Sequence, residues 1–172
     1  MHLMRDDVEI RPAIHSDIPA ITSVARRTWS AAYAEIIPQN VQDDAIRAWY
    51  SPAKLTEAID ARNAVFLVAA RAGMIVGFVN LVRMSPTTAR LARIYLLPEA
   101  QRFGVGTRLF EASLRELAGV ETVSVEVEER NHGGRSFYER RGFIMKCRAL
   151  ATIFDFEIPI VVYELNVNRG AA

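Results

Sequence analysis

Gly104 and Gly106 stand two residues apart, between an apolar run from Ile94 to Leu97 and an amphipathic run that starts at Val105 and carries Leu109 and Phe110. The chemistry such a pair can serve is the holding of a phosphate or diphosphate. A helix start carries unpaired backbone N–H groups and partial positive charge. Glycines there have no Cβ, so a ligand can come close to the main chain. Gln101 and Arg102 precede the pair and Thr107 follows it. Two common nucleotide motifs do not fit. Leu109 and Phe110 stand where a dinucleotide fingerprint would place its third glycine, and Thr107 follows Gly106 without the lysine of a P-loop.

A second group of polar residues lies downstream. Val125-Glu126-Val127-Glu128-Glu129-Arg130-Asn131 alternates like a strand and ends on an asparagine, and Phe137-Tyr138-Glu139-Arg140-Arg141-Gly142-Phe143 follows. By residue type alone, Asn131 suits a helix N-cap, and Tyr138 suits an aromatic wedge between helix and sheet. Taken with Gln101-Arg102-Phe103-Gly104-Val105-Gly106, and in this order, the sequence resembles the GCN5-related N-acetyltransferases, the GNAT family. The coenzyme motif of that family reads Gln/Arg-x-x-Gly-x-Gly/Ala after a strand. The resemblance extends in element order from Val8 to about Val167.

The resemblance implies an acetyl-CoA-dependent N-acetyltransferase that acts on a primary amine of a small molecule, by direct attack in a ternary complex. Such a transfer needs a neutral amine, a thioester held in line, donors for the oxyanion, and a proton for the leaving thiolate. By the same resemblance, the main chain of Ile94, Tyr95 and Leu96 holds the pantetheine arm like an added strand. The N–H of Leu96 would polarise the thioester carbonyl. The diphosphate would rest on N–H groups of Arg102, Phe103, Gly104, Val105, Gly106 and Thr107. Asn131 is expected to touch the same coenzyme, which is compatible with capping. Tyr138 is expected to touch it too and to return the proton, because a phenol of pKa about 10 suits a thiolate of comparable basicity. Arg102 or Arg108 could add charge at the rim, although a solvated arginine is the plainer reading of each.

The chain departs from the family over the base. Arg90-Leu91-Ala92-Arg93-Ile94-Tyr95-Leu96 holds no acid. Glu126 and Glu128 alternate with Val125 and Val127, so both point away from that apolar face; either could border the active cleft, with a surface carboxylate the plainer reading of each. Tyr95, acting through water, is a further candidate, and the base stays unassigned. Trp29 and Tyr33 lie one helical turn apart and are the candidate walls of an acceptor pocket, with core packing as the alternative for Trp29. Two other functions stay open: the same chemistry on a protein N-terminus or lysine, and a non-catalytic CoA-binding module.

The elements that must position these residues can be read from pattern. Val8 to Arg11 alternates as a short strand. Ser16 or Asp17 is the expected cap of a helix whose core face is Ile18, Ile21, Ala25 and Trp29, and which ends before Pro38. A second helical region starts near Val41, breaks at Ser51-Pro52, and resumes through Leu55, Ala58 and Ile59. Ala64 to Ala70 and Ile75 to Val82 form a hairpin about Ala72-Gly73. Ser85-Pro86 and Thr87-Thr88 mark a turn, and Leu91 to Leu97 is the next strand. The helix after Gly106 turns Leu109, Phe110, Leu114 and Leu117 inward and stops at Gly119. Thr122 to Val127 is a strand, residues 134–141 a short helix ended by Gly142, and Phe143 to about Leu150 and Ile158 to Val167 two strands about a loop near Asp155. This is an α/β layout with a mixed, mostly antiparallel central sheet and helices on both faces. It is read as one GNAT-like domain over residues 1–172, with its core at about 8–167.

Composition bounds the rest. At 172 residues, with 51% hydrophobic and 24% charged residues, the chain is globular and long enough for a real core. A formal net charge of +1 gives no reason to expect nucleic acid or an anionic membrane as partner. Arg140-Arg141, with Arg130 and Arg135, is interleaved with Glu128, Glu129 and Glu139 and reads as a solvated helix face. Cys147 is the only cysteine, so no disulfide forms within the chain; a reducing compartment fits, and the residue reads as a small buried hydrophobe. His2, His15 and His132 lack ligand spacing, so no metal is expected. Arg5, Asp6 and Asp7 interrupt any apolar leader, and no run reaches membrane-spanning length, so a cytoplasmic protein is the expectation. A homodimer is expected from the family likeness, with the apolar run Ile158 to Tyr163 as a strand able to pair across subunits.

Overall fold

The structure, a computed structural model, describes residues 8–170. His2 and the Arg5-Asp6-Asp7 segment lie outside the described residues. The chain runs β1 (Val8–Pro12), α1 (Ile18–Tyr33), α2 (Gln39–Trp49), α3 (Pro52–Asp60), β2 (Ala64–Arg71), β3 (Met74–Arg83), β4 (Thr88–Leu96), α4 (Val105–Glu116), β5 (Thr122–Glu128), α5 (His132–Glu139), β6 (Ile144–Ile153) and β7 (Phe156–Asn166). The strands form one seven-stranded sheet in the order β1-β2-β3-β4-β5-β7-β6. Every neighbouring pair is antiparallel except β4–β5, which is parallel. The run Ile158 to Tyr163, read as a strand able to pair across subunits, lies in β7, which is bonded to β5 on one side and β6 on the other and so has no free edge.

Two adjacent residues of β4 show how the helices are layered. Tyr95 accepts a hydrogen bond from Trp29 Nε1 of α1 at 3.3 Å. Leu96 reaches the other way, and its side chain would meet a β-carbon placed on Gly106 of α4. Successive strand residues point to opposite faces. The α1 and α4 helices therefore cover opposite faces of the sheet, as the sequence pattern implies. Ile21, Ala25 and Trp29 of α1 are buried on one side, and Leu109 and Phe110 of α4 on the other.

Three local expectations change. Neither Ser16 nor Asp17 caps α1 with its side chain. Asp17 instead accepts the Ile14 N–H at 2.9 Å and both terminal nitrogens of Arg11, which ties the end of β1 to the helix start. Thr88, read as part of a turn, opens β4, where it pairs with Thr122. Cys147 is exposed, not buried. The reason is sheet order: β6 is an edge strand, and most of its residues, including Ile144, Met145 and Leu150, face solvent.

Candidate active site

The parallel pair β4–β5 is hydrogen-bonded only at its start, where Thr88, Ala89 and Arg90 face Thr122, Val123 and Ser124. Beyond that point the strands part. Ala92 is an extra residue on β4, since Leu91 faces Leu81 and Arg93 faces Asn80 across the β3 register. A bulge of this kind bends its strand. The result is a cleft between the C-terminal halves of β4 and β5, with main chain exposed along it. The Leu97 N–H donates to Val76 C=O of β3 at 2.9 Å. Backbone groups alternate sides along a strand. The polar groups of Ile94 and Leu96 therefore turn away from β3 and into the cleft, the direction required for holding an extended ligand. The Leu96 carbonyl is met there by Gln101 Nε2 at 3.1 Å and Thr28 Oγ1 at 3.3 Å.

The cleft leads to the start of α4. Its first intrahelical bond runs from Arg108 N–H to Gly104 C=O, so the N–H groups of Val105, Gly106 and Thr107 have no carbonyl within the helix. Gly104, at the N-cap, offers no side-chain cap, and no acidic residue stands in the first turn. Arg102 and Gly104 both have left-handed backbone, with φ of 70° and 78°. In arginine that conformation is a local strain. Arg102 and Phe103 are exposed, whereas Val105 packs into the core.

The two glycines do different work. A β-carbon on Gly104 meets nothing within 4 Å, so its requirement is the positive φ and the open space in front of it. A β-carbon on Gly106 would lie 2.8 Å from Phe137 Cε2 and 3.0 Å from Leu96 Cδ1. Gly106 is therefore demanded by close packing of α4 on α5 and β4. Arg108 donates to Val8 C=O at 2.8 Å and braces β1.

On the α1 side the cleft is lined by aromatic rings. Trp29 and Tyr33 do come together, with centroids 5.1 Å apart, and Trp29 also meets Trp49 of α2 at 5.8 Å. Trp29 is mostly core, as its alternative reading had it. Trp49 stacks on Phe154, at the turn between β6 and β7, with centroids 6.0 Å apart. That stack bridges the two halves of the parted sheet. Tyr33 makes a second bridge, accepting from Asn131 Nδ2 at 3.4 Å. Arg93 donates to Trp49 C=O at 3.0 Å and lies over the Tyr50 ring, a cation well placed at the C-terminus of α2. Trp49, Phe154 and Arg93 escaped sequence reasoning because they come from segments far apart in the chain and carry no shared motif.

Asn131 caps α5: its Oδ1 accepts the Gly134 N–H at 2.9 Å. Tyr138 is only 8% exposed, packed against Phe137, Phe143 and Tyr163. Burial holds its phenol far above the ordinary tyrosine value, and the nearby Tyr95 and Tyr33 add to the effect, so the match in basicity to a thiolate that an ordinary phenol would give is not kept here. Burial likewise raises Tyr33 and Tyr50. These hydroxyls keep their protons. The tyrosines of α1, β4 and α5 are thus gathered at one point along the cleft.

Two charged residues overturn the sequence reading. Glu126 is at the surface, but Glu128 is only 3% exposed. The chain turns sharply after β5, and the Glu128 carboxylate accepts the Arg130 N–H at 2.8 Å, with Arg130 Nε at 3.5 Å. Arg141 is not on a solvated face either. Its guanidinium folds back across Phe137 to donate to Thr107 Oγ1 in α4. Among the described residues no group of three His, Cys, Asp or Glu side chains is placed to hold a metal ion, and no helix is long and apolar enough to cross a membrane.

Comparison with known proteins bears on this arrangement. The sequence model described as the acetyltransferase (GNAT) family matches residues 23–143. The chain is 32% identical over 142 residues to the spermidine N(1)-acetyltransferase of Thermoplasma acidophilum, covering 79% of this chain and 88% of that protein. The crystal structure of the PaiA N-acetyltransferase of Thermoplasma acidophilum in complex with coenzyme A superposes with a TM-score of 0.82 at 26% identity, over 92% of this chain and 98% of that one. A GCN5-related N-acetyltransferase from Rhodopseudomonas palustris shares the fold with a TM-score of 0.78 at 18% identity, over 97% and 100% of the two chains.

Proposed function

We propose a substrate class and a division of labour among residues from one premise: the chain belongs to the acetyltransferase (GNAT) family. It is an N-acetyltransferase by that membership. We infer that it moves the acetyl group of acetyl-CoA to a primary amine of a small molecule, by direct attack with both substrates bound. The observation that carries this reading is the parted β4–β5 pair opening onto an uncapped helix start.

The residues fit the coenzyme. Cleft-facing main chain at Ile94 and Leu96, with Tyr95 between them, suits an extended amide arm. The N–H groups from Arg102 to Thr107, spanning Phe103, Gly104, Val105 and Gly106, suit a diphosphate. When bound, acetyl-CoA supplies an activated acyl group as a thioester. Leu96 N–H then serves as a preorganised donor toward the acyl oxygen, a contribution of a few kcal/mol in comparable sites, on the order of 3 kcal/mol. Tyr138 holds the proton destined for the coenzyme sulfur. Asn131 orders the start of α5 and carries Tyr33 toward the cleft.

A small acceptor is favoured over a protein segment by the Trp49–Phe154 stack, which closes the acceptor side where a peptide would need an open groove. Trp29 and Tyr33 line the same side. The relationship to a spermidine acetyltransferase supports a polyamine-like amine. Location in the cytoplasm is supported by the single free cysteine. A homodimer is supported by the exposed apolar side chains of β6. Sedimentation velocity tests that assembly, and a single monomeric species at micromolar concentration would refute it.

The test of function is release of free CoA thiol from acetyl-CoA with polyamines, amino acids and peptide N-termini as acceptors. Turnover is expected with a small amine. Turnover with peptides alone would favour a protein acetyltransferase, and coenzyme binding without turnover on any amine a binding module.

A further inference from the structure

Two sources of positive charge meet at the start of α4. One is the helix itself, with uncapped N–H groups at Val105, Gly106 and Thr107 and no acid in the first turn. The other is Arg141, just beyond the end of α5. Its Nη2 donates to Thr107 Oγ1, and its Nη1 donates to Phe137 C=O at 2.6 Å. Its guanidinium carbon lies 3.4 Å from the centroid of the Phe137 ring, the same ring that faces Gly106.

This placement suits one helix and opposes the other. Helix C-termini favour cations and N-termini favour anions. Toward α5, whose Phe137 carbonyl it meets past the C-terminus, Arg141 is well placed; toward α4 it stands at the end that repels a cation, beside Arg140, and burial lowers its affinity for the proton. The acid that acts on it is Glu111, one turn further along α4 and exposed. Its Nε is fully buried and has no acceptor among the described residues. A buried donor left unpaired is costly. An anion at the helix start would be attracted by both sources and would remove the conflict between them.

We propose that Arg141 is a coenzyme-anchoring residue, whose guanidinium and the α4 N–H groups together hold the diphosphate of CoA. This rests on the acetyl-CoA reading above and adds a residue that the glycine motif does not contain. Thr107 then serves as the brace that keeps the guanidinium turned toward the helix start. Phe137 is the platform under it.

The test is titration calorimetry of CoA and of 3′-dephospho-CoA against the full chain and its Arg141→Leu, Arg141→Gln and Arg141→Lys variants, with the Tm of each taken without coenzyme. The wild type binds CoA. Arg141→Leu and Arg141→Gln raise Kd roughly tenfold, as loss of one charge-assisted contact predicts. Arg141→Lys loses less, and the factors are the same for both coenzyme forms. Wild-type affinity in Arg141→Leu or Arg141→Gln, with or without a lowered Tm, would overturn the proposal and leave Arg141 a structural tie. A loss confined to CoA and absent with 3′-dephospho-CoA would move the contact to the ribose phosphate and overturn the diphosphate assignment. Failure of the wild type to bind either form would instead overturn the coenzyme reading itself.

Discussion

The ring of Phe137 lies so close to Gly106 that a β-carbon on the glycine would come within 2.8 Å of Cε2. The contact joins α5 to α4 at the helix start that faces the cleft. Gly106→Ala is therefore expected to lower stability by about 1–3 kcal/mol through overpacking, read by urea denaturation. Gly104→Ala should cost about 1–2 kcal/mol for a different reason, its left-handed backbone. Wild-type stability in Gly106→Ala, combined with weakened CoA binding, would show that ligand approach and not packing demands that glycine.

Tyr138→Phe keeps the ring packing and removes one hydroxyl. Turnover should fall about 100-fold while the Kd for CoA stays within about twofold, because a general acid contributes roughly 100- to 10,000-fold. Burial keeps the phenol protonated through the accessible pH range, so no ionisation of Tyr138 should appear in the pH–rate profile. A variant as fast as the wild type removes Tyr138 from the chemistry.

The Asp17 carboxylate is held below the usual range, first by the Arg11 guanidinium and also by the Ile14 N–H, against a smaller opposing effect of burial. The unfolded chain therefore binds this proton more readily than the folded one. The pair's contribution is complete above the unfolded value of about 3.9 and is lost as pH falls through the lowered folded value. Asp17→Asn should lower stability at pH 7 by about 1–3 kcal/mol and flatten the acid limb of the stability curve below about pH 4. An acid limb identical to that of the wild type would mean that this carboxylate contributes nothing there.

Asn131 spends its oxygen on Gly134 N–H and its nitrogen on Tyr33. Asn131→Ala should cost about 1 kcal/mol as a lost cap, and Asn131→Asp should recover it, because the acceptor is kept. Chemical denaturation of the two variants separates these effects. Equal stability of both with the wild type would argue against the cap.

Cys147 lies exposed on an edge strand. It should react with a thiol reagent in the folded protein, and full alkylation should leave acetyl transfer unchanged. Inactivation that acetyl-CoA prevents would instead place the thiol in the reaction.

Much of this architecture is legible in the residues. The alternation of Val8 to Arg11, the hairpin about Ala72-Gly73 and the Gly104 turn each carry a local signal, and each element is where that signal puts it. What was not legible depends on which strands become neighbours. Cys147 has an apolar setting in the sequence, yet its strand ends up at the rim of the sheet. Glu128 keeps strict alternation with Val127, yet the turn at Arg130 folds over it. Arg141 looks like one more charge in an interleaved run, and only the approach of α5 to α4 turns it toward Thr107. The parting of β4 from β5 is a matter of register and of one extra residue, Ala92, and neither is written in local pattern.

Both tryptophans of the chain belong to the same wall of the cleft. Trp29 is buried in it, and Trp49 is 37% exposed against Phe154 across the parted strands. The protein thereby carries its own optical probe. An acceptor that enters between α2 and the β6–β7 turn changes the surroundings of an indole, so intrinsic emission can follow filling of that side without a label. The coenzyme arm along Ile94 to Leu96 would pass Tyr95, which accepts from the Trp29 indole, so the buried indole can register arrival of the coenzyme and the exposed one arrival of the acceptor.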